Sequence, residues 1–237
     1  MALKFYRRLT GQTKVLSFDL DDTLYQNDVV IHQAEQAQFE AVCQVAPQAR
    51  EHGVEYWRQL KWQVAKQQPA LCHDVTNWRL AVIKLGMAKF GITEQHTIND
   101  IYNAFYLARS NFTVPKVTFD VLNQLQQQFT LVAVTNGNAD IQRLGLSGYF
   151  AGYYRAGEQN CRMKPHPDML HKVAKDLNVP HYEIIHIGDN VGSDVQAAIN
   201  ANVNSFWFNP SLKPYLSGHV LPDAEYSCIT DLLQLLE

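Results

Sequence analysis

Apolar and polar positions change their pattern twice along the chain. Val15, Leu16 and Phe18 form a short apolar run that predicts a buried strand over residues 15–19. From residue 28 to residue 112 the apolar positions instead recur at intervals of three and four. That spacing is typical of amphipathic helices, so this region predicts a series of helices with few strands.

Four apolar stripes within this region predict four helices, each with one buried face. The stripes are Phe39, Val42 and Ala46; Val54, Trp57, Leu60 and Val64; Trp78, Ala81, Leu85 and Ala88; and Ile98, Ile101, Phe105 and Ala108. Glycine and proline interrupt helices, and they fall between or beside the stripes at Gly53, Pro69, Gly91 and Pro115.

After Pro115 the pattern alternates between strands and helices. Strands are predicted at 130–136, near 152–156, at 183–189 and at 204–208, and helices at about 119–128, shortly after 138, at 167–177 and at 193–201. Repeated β–α units with strands rich in Val, Ile and Phe predict a parallel sheet covered by helices on both faces. The predicted fold class is therefore α/β, with a doubly wound, Rossmann-like core from residues 1–25 and 116–237 and an inserted all-helical domain over residues 26–115.

Composition narrows the possible function classes. The chain has 237 residues, 46% hydrophobic and 18% charged, as expected of a globular protein with a sizeable core. A net charge of −3 and a pI near 6.3 favour neither nucleic acid nor an anionic membrane as a partner. The pattern predicts neither a signal peptide nor a membrane span, and the cysteine spacing predicts no disulfide framework. A cytoplasmic monomer or homodimer with reduced thiols is expected.

Three of the predicted strands end in short polar residues. Asp19 follows the first strand, Thr135-Asn136-Gly137 close the second, and Gly188-Asp189 close the strand at 183–189. Ligands of doubly wound sheets bind at the carboxyl ends of the strands, so these residues are expected to converge. Clustered carboxylates are unfavourable unless a cation offsets them. Asp19 and Asp189, with Asp194 as a further candidate, therefore predict a hard-oxygen site suited to Mg²⁺.

A metal of this kind attracts phosphate, and the sequence offers phosphate donors. Lys164 lies on a predicted loop, stiffened by flanking prolines, where its charge would neutralise a nucleophile and a phosphate together. The Thr135 hydroxyl and the backbone N–H of Asn136 are candidate donors to phosphate oxygens.

Four motifs now point to a known family. DLDDT at 19–23, TNG at 135–137, Lys164 in KPHP and GDNVGSD at 188–194 occur in the order of the four motifs of the haloacid dehalogenase superfamily, which the chain resembles. The helical insertion resembles the C1-type cap of its subfamily I. FYRRL, FDLDDTLYQN, HDVTNWR and TNGNA also resemble the YigB-type subgroup, which is associated with dephosphorylating FMN and the riboflavin precursor 5-amino-6-(5-phospho-D-ribitylamino)uracil.

The resemblance implies a Mg²⁺-dependent phosphomonoester hydrolase that acts on a small phosphorylated metabolite. Asp19 would attack phosphorus and form an aspartyl-phosphate, and Asp21 would protonate the leaving oxygen and later activate water. An oxygen of Asp19, the backbone carbonyl of Asp21 and Asp189 would hold the metal.

Thr135, Asn136 and Lys164 would bind the phosphate group, and Thr135 and Lys164 join Asp19 and Asp21 as the catalytic set. Asp194 would hold Lys164 or a metal-bound water, with capping of the following helix as the competing interpretation. Asp22 is expected to brace the turn.

Other interpretations remain open at this point. One is a broad sugar or nucleotide phosphatase, and another is a non-catalytic protein that binds phosphorylated metabolites. A haloacid dehalogenase is a third; it attacks carbon and needs neither an acid at Asp21 nor a metal. His186 alternates with apolar neighbours and is expected to be packed rather than catalytic. Aromatic and arginine residues of the helical region are candidate ring contacts, although such stripes are more often core.

Overall fold

The computed structural model describes residues 3–9, 11–214 and 220–237. These residues form two compact units. The first contains the described residues up to Gln26, the segment Thr113–Gly137, and the described residues from Gly145 onward; it holds the sheet. The second contains Asn27–Phe112 and Asn138–Leu144 and is helical.

The sheet of the first unit has seven strands and confirms the α/β fold class. The strands are β1 (Lys4–Phe5), β2 (Val15–Phe18), β3 (Thr130–Thr135), β4 (Gly152–Arg155), β5 (Ile184–Gly188), β6 (Asn204–Phe208) and β7 (Ala224–Tyr226). Their order is β1-β7-β6-β5-β2-β3-β4, and every neighbouring pair is parallel except β1 with β7. β1 was not predicted, because two residues are too few to show a period.

The central strands are buried on both faces. Every residue of β2 and β5 is buried, as is every residue of β3 after Thr130. The flanking helices are α5 (Lys116–Leu125), α6 (Asp168–Asp176) and α7 (Gln196–Asn200), and a π-helical turn, Val191–Val195, precedes α7. Covering both faces of a parallel sheet accounts for the continuous apolar runs read in the sequence.

Four helices make up most of the second unit: α1 (Asp28–Val45), α2 (Gly53–Gln67), α3 (Val75–Ala88) and α4 (Gln95–Arg109). Trp57, Leu60 and Val64 are buried on α2, in line with the predicted stripe. On α3 the predicted stripe is confirmed in part, since Trp78, Ala81 and Leu85 are partly buried and pack against the core of the unit, whereas Ala88 is exposed. The fully buried residues of α3 are Val82, Ile83, Gly86 and Met87.

Gly86 explains the shift of the buried face on α3. A Cβ atom at this position would lie 2.1 Å from the Trp57 ring, so only glycine lets the indole of α2 pack directly against α3. The helices meet at the point where α3 has no side chain, a relation that apolar spacing alone does not reveal.

Residues 138–144 depart from the sequence-based prediction in two ways. They belong to the helical unit rather than to the sheet unit, and they form a turn rather than the predicted short helix. Asp140 accepts hydrogen bonds from the backbone N–H of Gln142 and of Arg143, which closes the turn. The amide of Asn138 donates to the hydroxyls of Thr76 and Tyr102 within the same unit. The assignment of the helical unit as a cap stays a prediction.

The four cysteines are free thiols, with Cys43 and Cys161 buried. Among the residues that the structure describes, no helix combines the length and the apolar character needed to cross a membrane.

Candidate active site

Parallel pairing brings the predicted site residues of the sheet unit to one edge. β2 lies between β3 and β5, with Val15 opposite both Thr130 and Ile184. The backbone N–H of Asp19 donates to Ile187 O over 2.8 Å, which continues the β2–β5 ladder one residue past the strand. The carboxyl ends of these three strands therefore place Asp19 near the polar residues that close β3 and β5.

Lys164 joins this edge from the loop before α6. Its side chain is almost completely buried, and its Nζ lies 2.7 Å from Asp19 Oδ1 and 2.6 Å from Asp194 Oδ1. Nζ also donates to the backbone carbonyl of Val134, at 2.7 Å. Three acceptors match the three N–H bonds of an ammonium group, so Lys164 is fixed against the Asp19 carboxylate.

Asp194 is buried and uses both of its oxygens. Oδ1 accepts from Lys164 and faces the ring nitrogen Nε2 of His186 at 3.2 Å. Oδ2 accepts from the backbone N–H of Asn190 at 3.0 Å and from the Ser193 hydroxyl at 3.3 Å. These donors fill the roughly four acceptor positions of a carboxylate. The cap of the following turn is Asn190, whose side chain accepts from Ser193 N, rather than Asp194.

The titration behaviour of the cluster follows from burial and charge. Burial raises the pKa of Asp19 well above its ordinary value, against the opposing effect of Lys164. Burial, with Asp194 and Asp22, raises the pKa of Asp189 to about 7. Burial opposes the charge of Lys164, but the Asp19 and Asp194 carboxylates raise its pKa. Burial likewise opposes the charge of Asp194, yet Lys164 lowers its pKa. Asp194 and Lys164 neutralise each other, so Asp19 and Asp189 are short of positive charge.

Asp21 lies on the turn after β2, and its carboxyl group is oriented by a neighbour. The Tyr25 hydroxyl donates to Asp21 Oδ1 at 2.8 Å. The other oxygen, Oδ2, would lie 2.6 Å from a Cβ placed on Gly137. A glycine in the TNG motif is thus required for the Asp21 carboxyl group to reach this position.

Asp22 and Thr23 complete the turn. Asp22 has a positive φ of 60°, and its backbone N–H donates to Tyr25 O at 2.8 Å, so this residue shapes the loop. The Thr23 hydroxyl lies 3.5 Å from Asp189 Oδ1, at the limit of a hydrogen bond. Asp22 therefore fixes the backbone of the turn, and Thr23 contacts Asp189 at the end of β5.

Thr135 and Asn136 use their side chains within the protein. Thr135 is buried, and its hydroxyl accepts from the backbone N–H of Gly137 at 2.9 Å. The Asn136 amide forms a pair of hydrogen bonds with the Lys164 backbone, accepting from its N–H at 2.7 Å and donating to its carbonyl at 3.0 Å. The side chain of Asn136 thus orients the loop of Lys164, a contact that the sequence did not predict.

The geometry also fits a divalent cation. Asp19, Asp189 and Asp194 each offer a carboxylate oxygen, and these oxygens lie within 4.8 Å of one another. Because the donors of Asp194 already occupy both of its oxygens, Asp19 and Asp189 are the available ligands. Burial and neighbouring acids raise the pKa values of both carboxyl groups, a bound cation would favour their ionised forms, and hard carboxylate oxygens suit Mg²⁺.

Three further contacts were beyond sequence reasoning. The Trp207 indole donates to Asp189 O at 2.8 Å, Tyr25 orients Asp21, and His186 contacts Asp194. The Trp207 contact depends on the pairing of β5 with β6, and the other two depend on the path of the turns that follow β2 and β5, which apolar spacing does not show. The alternation around His186 correctly indicated a buried side chain, at 1% exposure.

Comparison with known proteins identifies relatives of the chain. The model of the haloacid dehalogenase-like hydrolases matches residues 13–202. The chain is 37% identical over 240 residues to 5-amino-6-(5-phospho-D-ribitylamino)uracil phosphatase YigB of Escherichia coli, covering 99% of this chain and 100% of that protein. The predicted resemblance to the superfamily and to the YigB-type subgroup is therefore confirmed.

Solved structures agree on the fold. A 2-haloacid dehalogenase from Pseudomonas syringae superposes with a TM-score of 0.85 at 28% identity, over 95% of this chain and 98% of that one. The magnesium-bound HAD-hydrolase YfnB of Bacillus subtilis superposes with a TM-score of 0.68 at 19% identity, over 96% and 100% of the two chains. The latter identity is low enough that this second match supports the fold alone.

Proposed function

The chain belongs to the family of haloacid dehalogenase-like hydrolases, and on that premise we propose that it is a Mg²⁺-dependent phosphomonoesterase acting through an aspartyl-phosphate on Asp19. The observation that carries this proposal is the buried contact of 2.7 Å between Lys164 Nζ and Asp19 Oδ1 at the carboxyl edge of the sheet. A carboxylate held by a fixed ammonium group, beside further acids, suits attack on an anionic phosphate.

Asp19 attacks phosphorus and expels the alcohol of the ester. Lys164 remains positively charged at neutral pH because Asp19 and Asp194 raise its pKa, so it offsets the charge that phosphate brings to the nucleophile. Asp21, oriented by Tyr25, protonates the leaving oxygen. It then accepts a proton from the water that hydrolyses the aspartyl-phosphate and returns Asp19 to its starting form.

Asp19, Asp189 and the backbone carbonyl of Asp21 are the groups proposed to hold Mg²⁺. When bound, the ion supplies positive charge to the phosphate oxygens and to the nucleophile together. Support comes from the carboxylate oxygens of Asp19 and Asp189, which lie within 4.8 Å of each other, and from burial and neighbouring acids, which raise the pKa of both groups and which a bound cation would oppose.

The phosphate group would also be held by the backbone N–H of Asn136 and by the Thr135 hydroxyl. The Thr135 oxygen accepts from Gly137 N, which leaves its own O–H available to donate to a phosphate oxygen. Thr135 and Asn136 follow a strand that is buried from Leu131 onward, so the donors stand on a rigid support.

The proposed substrate is 5-amino-6-(5-phospho-D-ribitylamino)uracil, with FMN as the next choice. The support is the full-length relation to the Escherichia coli phosphatase named for that compound. A small phosphorylated metabolite and a cytoplasmic setting fit this role, with a monomer or homodimer as the expected state.

A second candidate function is 2-haloacid dehalogenation, favoured by the structural match to a dehalogenase at 28% identity. In that reaction Asp19 would attack carbon rather than phosphorus. Asp21 and Asp189 count against it, because halide departure needs neither a proton donor nor a metal.

Hydrolysis assays with purified protein separate these functions. The panel contains 5-amino-6-(5-phospho-D-ribitylamino)uracil, FMN, a sugar phosphate, an aryl phosphate and 2-chloropropionate, each with Mg²⁺ and with EDTA. Phosphate release that requires Mg²⁺, with the highest kcat/KM for the ribitylaminouracil phosphate, is the expected result. Chloride release insensitive to EDTA would establish the dehalogenase instead, and equal rates on all phosphates would remove the substrate assignment while leaving the reaction class.

A further inference from the structure

A buried polar pair lies beneath the catalytic carboxylates, on strands where apolar residues would pack more simply. Ser17 on β2 stands directly opposite His186 on β5, and both side chains are fully buried. The Ser17 hydroxyl lies 2.9 Å from His186 Nδ1, and Ser17 O lies 3.2 Å from the same nitrogen. The other ring nitrogen, Nε2, faces Asp194 Oδ1 at 3.2 Å. His186 therefore connects the interior of the sheet to the carboxylate that holds Lys164.

The position of the ring proton follows from the Asp194 contact and from the shorter of the two Ser17 contacts, the hydroxyl at 2.9 Å rather than the carbonyl at 3.2 Å. Asp194 is ionised, since Lys164 and His186 stabilise its negative form, and an ionised carboxylate only accepts hydrogen bonds. Nε2 must then carry a hydrogen and donate it to Asp194. Burial lowers the pKa of His186, so the ring is neutral and Nδ1 has a lone pair. The Ser17 hydroxyl is the group that can donate to that lone pair.

The resulting hydrogen bonds connect the sheet to the nucleophile through Asp194, which accepts a hydrogen bond from each side. Ser17 donates to His186, and His186 donates to Asp194. Lys164 donates to Asp194 and to Asp19. Asp194 thus receives two donors on Oδ1, one from the rigid sheet and one from the lysine. The sheet fixes the carboxylate, and the carboxylate fixes the lysine.

We propose that His186, oriented by Ser17, is a positioning residue that fixes the Asp194 carboxylate and so holds Lys164 against the nucleophile Asp19. His186 makes no contact with substrate or metal in this role, and it transfers no proton. The inference rests on the proposed function, because it assigns Asp19 as the nucleophile. Residues that orient the groups contacting substrate or metal commonly change activity 10- to 100-fold when removed.

The ordinary interpretation is that His186 is a core residue whose polar atoms are merely satisfied. The two interpretations differ in what a substitution does. A packing role predicts that stability changes while the folded protein keeps its turnover. A positioning role predicts that kcat falls when the Nε2 donor is lost and returns when a different side chain supplies a donor.

Kinetics of two variants test this difference with an aryl phosphate as substrate at saturating Mg²⁺. His186→Met removes the donor at similar volume and is expected to lower kcat about 10-fold while KM changes less than about twofold. His186→Gln places an amide N–H near the position of Nε2 and is expected to keep kcat within about threefold of the wild-type value. The melting temperature of each variant is measured to confirm that the kinetic comparison is made between folded proteins.

Asn204 offers a matched control on the neighbouring strand. It is a buried polar residue of β6 whose amide donates to Tyr182 O at 3.0 Å and lies 3.5 Å from Ile184 O, two carbonyls with no part in the proposed chemistry. Asn204→Leu is expected to lower the melting temperature and leave kcat unchanged. Wild-type kcat in His186→Met, or an equal loss in His186→Met and His186→Gln, would overturn the proposal.

A second readout does not depend on turnover. Nitrogen NMR of the ¹⁵N-histidine-labelled wild-type protein at neutral pH should show His186 as the neutral tautomer with its proton on Nε2. A proton on Nδ1 alone would overturn the proposal even if His186→Met failed to fold. If the wild-type protein hydrolyses no phosphate ester, the proposed function fails, and the tautomer still decides whether His186 holds Asp194 as described.

Discussion

Lys164 of the sheet unit and Arg79 of the helical unit are two largely buried cations that are held in different ways. In the sheet unit, Lys164 Nζ lies 2.7 Å from Asp19 and 2.6 Å from Asp194. In the helical unit, the Arg79 guanidinium lies 3.5 Å above the centre of the Phe105 ring and donates to Gln38 at 3.0 Å. The Glu35 carboxylate lies 4.0 Å from this guanidinium.

The pKa values of the two cations move in opposite directions. Burial opposes the charge of Lys164, but its two carboxylates raise its pKa. Burial lowers the pKa of Arg79 to about 10, and Glu35 only partly offsets it. Lys164 is thus held by two carboxylates, whereas Arg79 is held by the Phe105 ring and the Gln38 amide. An excess of acid beside a lysine attracts a divalent ion and then a phosphate, whereas the setting of Arg79 favours packing.

Removing the nucleophile should produce the largest change. Asp19→Asn keeps the shape of the side chain but removes the negative charge that attacks phosphorus, so kcat should fall by at least about 10³-fold. Phosphate release from an aryl phosphate measures this effect. The melting temperature serves as the control, because the substitution also relieves the repulsion among buried acids. Turnover that survives Asp19→Asn would show that another residue is the nucleophile.

Removing Lys164 should cost both activity and stability. Lys164→Met leaves Asp19 and Asp194 without their shared counter-charge, and breaking a buried ion pair in this way costs about 3–5 kcal/mol. We expect kcat to fall by about 10²-fold or more, since the phosphate loses its fixed cation. Chemical denaturation and aryl phosphate kinetics measure the two effects. Wild-type kcat in this variant would contradict the proposed role of Lys164.

Magnesium should stabilise the folded protein as well as support turnover. A ligand that binds only the folded state at 100 times its Kd adds about 2.7 kcal/mol. The melting temperature should therefore rise with added Mg²⁺ and return after EDTA. Asp189→Asn removes a proposed ligand and should abolish most of that rise. An equal rise in the wild-type protein and in Asp189→Asn would place the metal elsewhere.

The metal-free protein should be more stable at pH 5.5 than at pH 8. The pKa of Asp189 is raised to about 7 and that of Asp19 is also raised, so both carboxyl groups are less favourable when ionised in the folded state. Stability is then lost as pH rises from the unfolded value near 3.8 to about 7, and on the order of 2 kcal/mol of that loss falls between pH 5.5 and pH 8. Asp194 and Lys164 do not change charge in this window. Asp189→Asn should flatten the dependence of the melting temperature on pH, and an unchanged slope would contradict the assignment.

The smallest effect is expected at the other cation. Arg79→Met loses the contact with the Phe105 ring and one hydrogen bond, at a cost of about 1–2 kcal/mol of stability. Because Arg79 has no part in the proposed chemistry, kcat for an aryl phosphate should stay within about threefold of the wild-type value. A loss of kcat as large as that of Lys164→Met would show that the two cations share a function.

Much of the sheet unit could be predicted from the sequence, because apolar runs ending in polar residues report strands and their carboxyl ends directly. Asp19 and Asp189 were predicted in this way, whereas Lys164 was predicted from its place on a proline-containing loop. The features that could not be predicted from the sequence depend on contacts between residues that are distant in the chain. The face of α3 that is buried depends on the Trp57 ring against Gly86, and the hydrogen bonds of His186 depend on Ser17 standing opposite it. Residues 138–144 belong to the helical unit through contacts that no local pattern encodes.

The identity of the nucleophile is the claim on which the account depends most, and trapping the covalent intermediate tests it most directly. A single turnover with phosphate-labelled 5-amino-6-(5-phospho-D-ribitylamino)uracil would be quenched in acid within the first milliseconds, reduced with borohydride and mapped by mass spectrometry. Modification of Asp19 alone is the predicted result. Turnover with the modification on another residue, or with unmodified Asp19 at every quench time, would contradict the account.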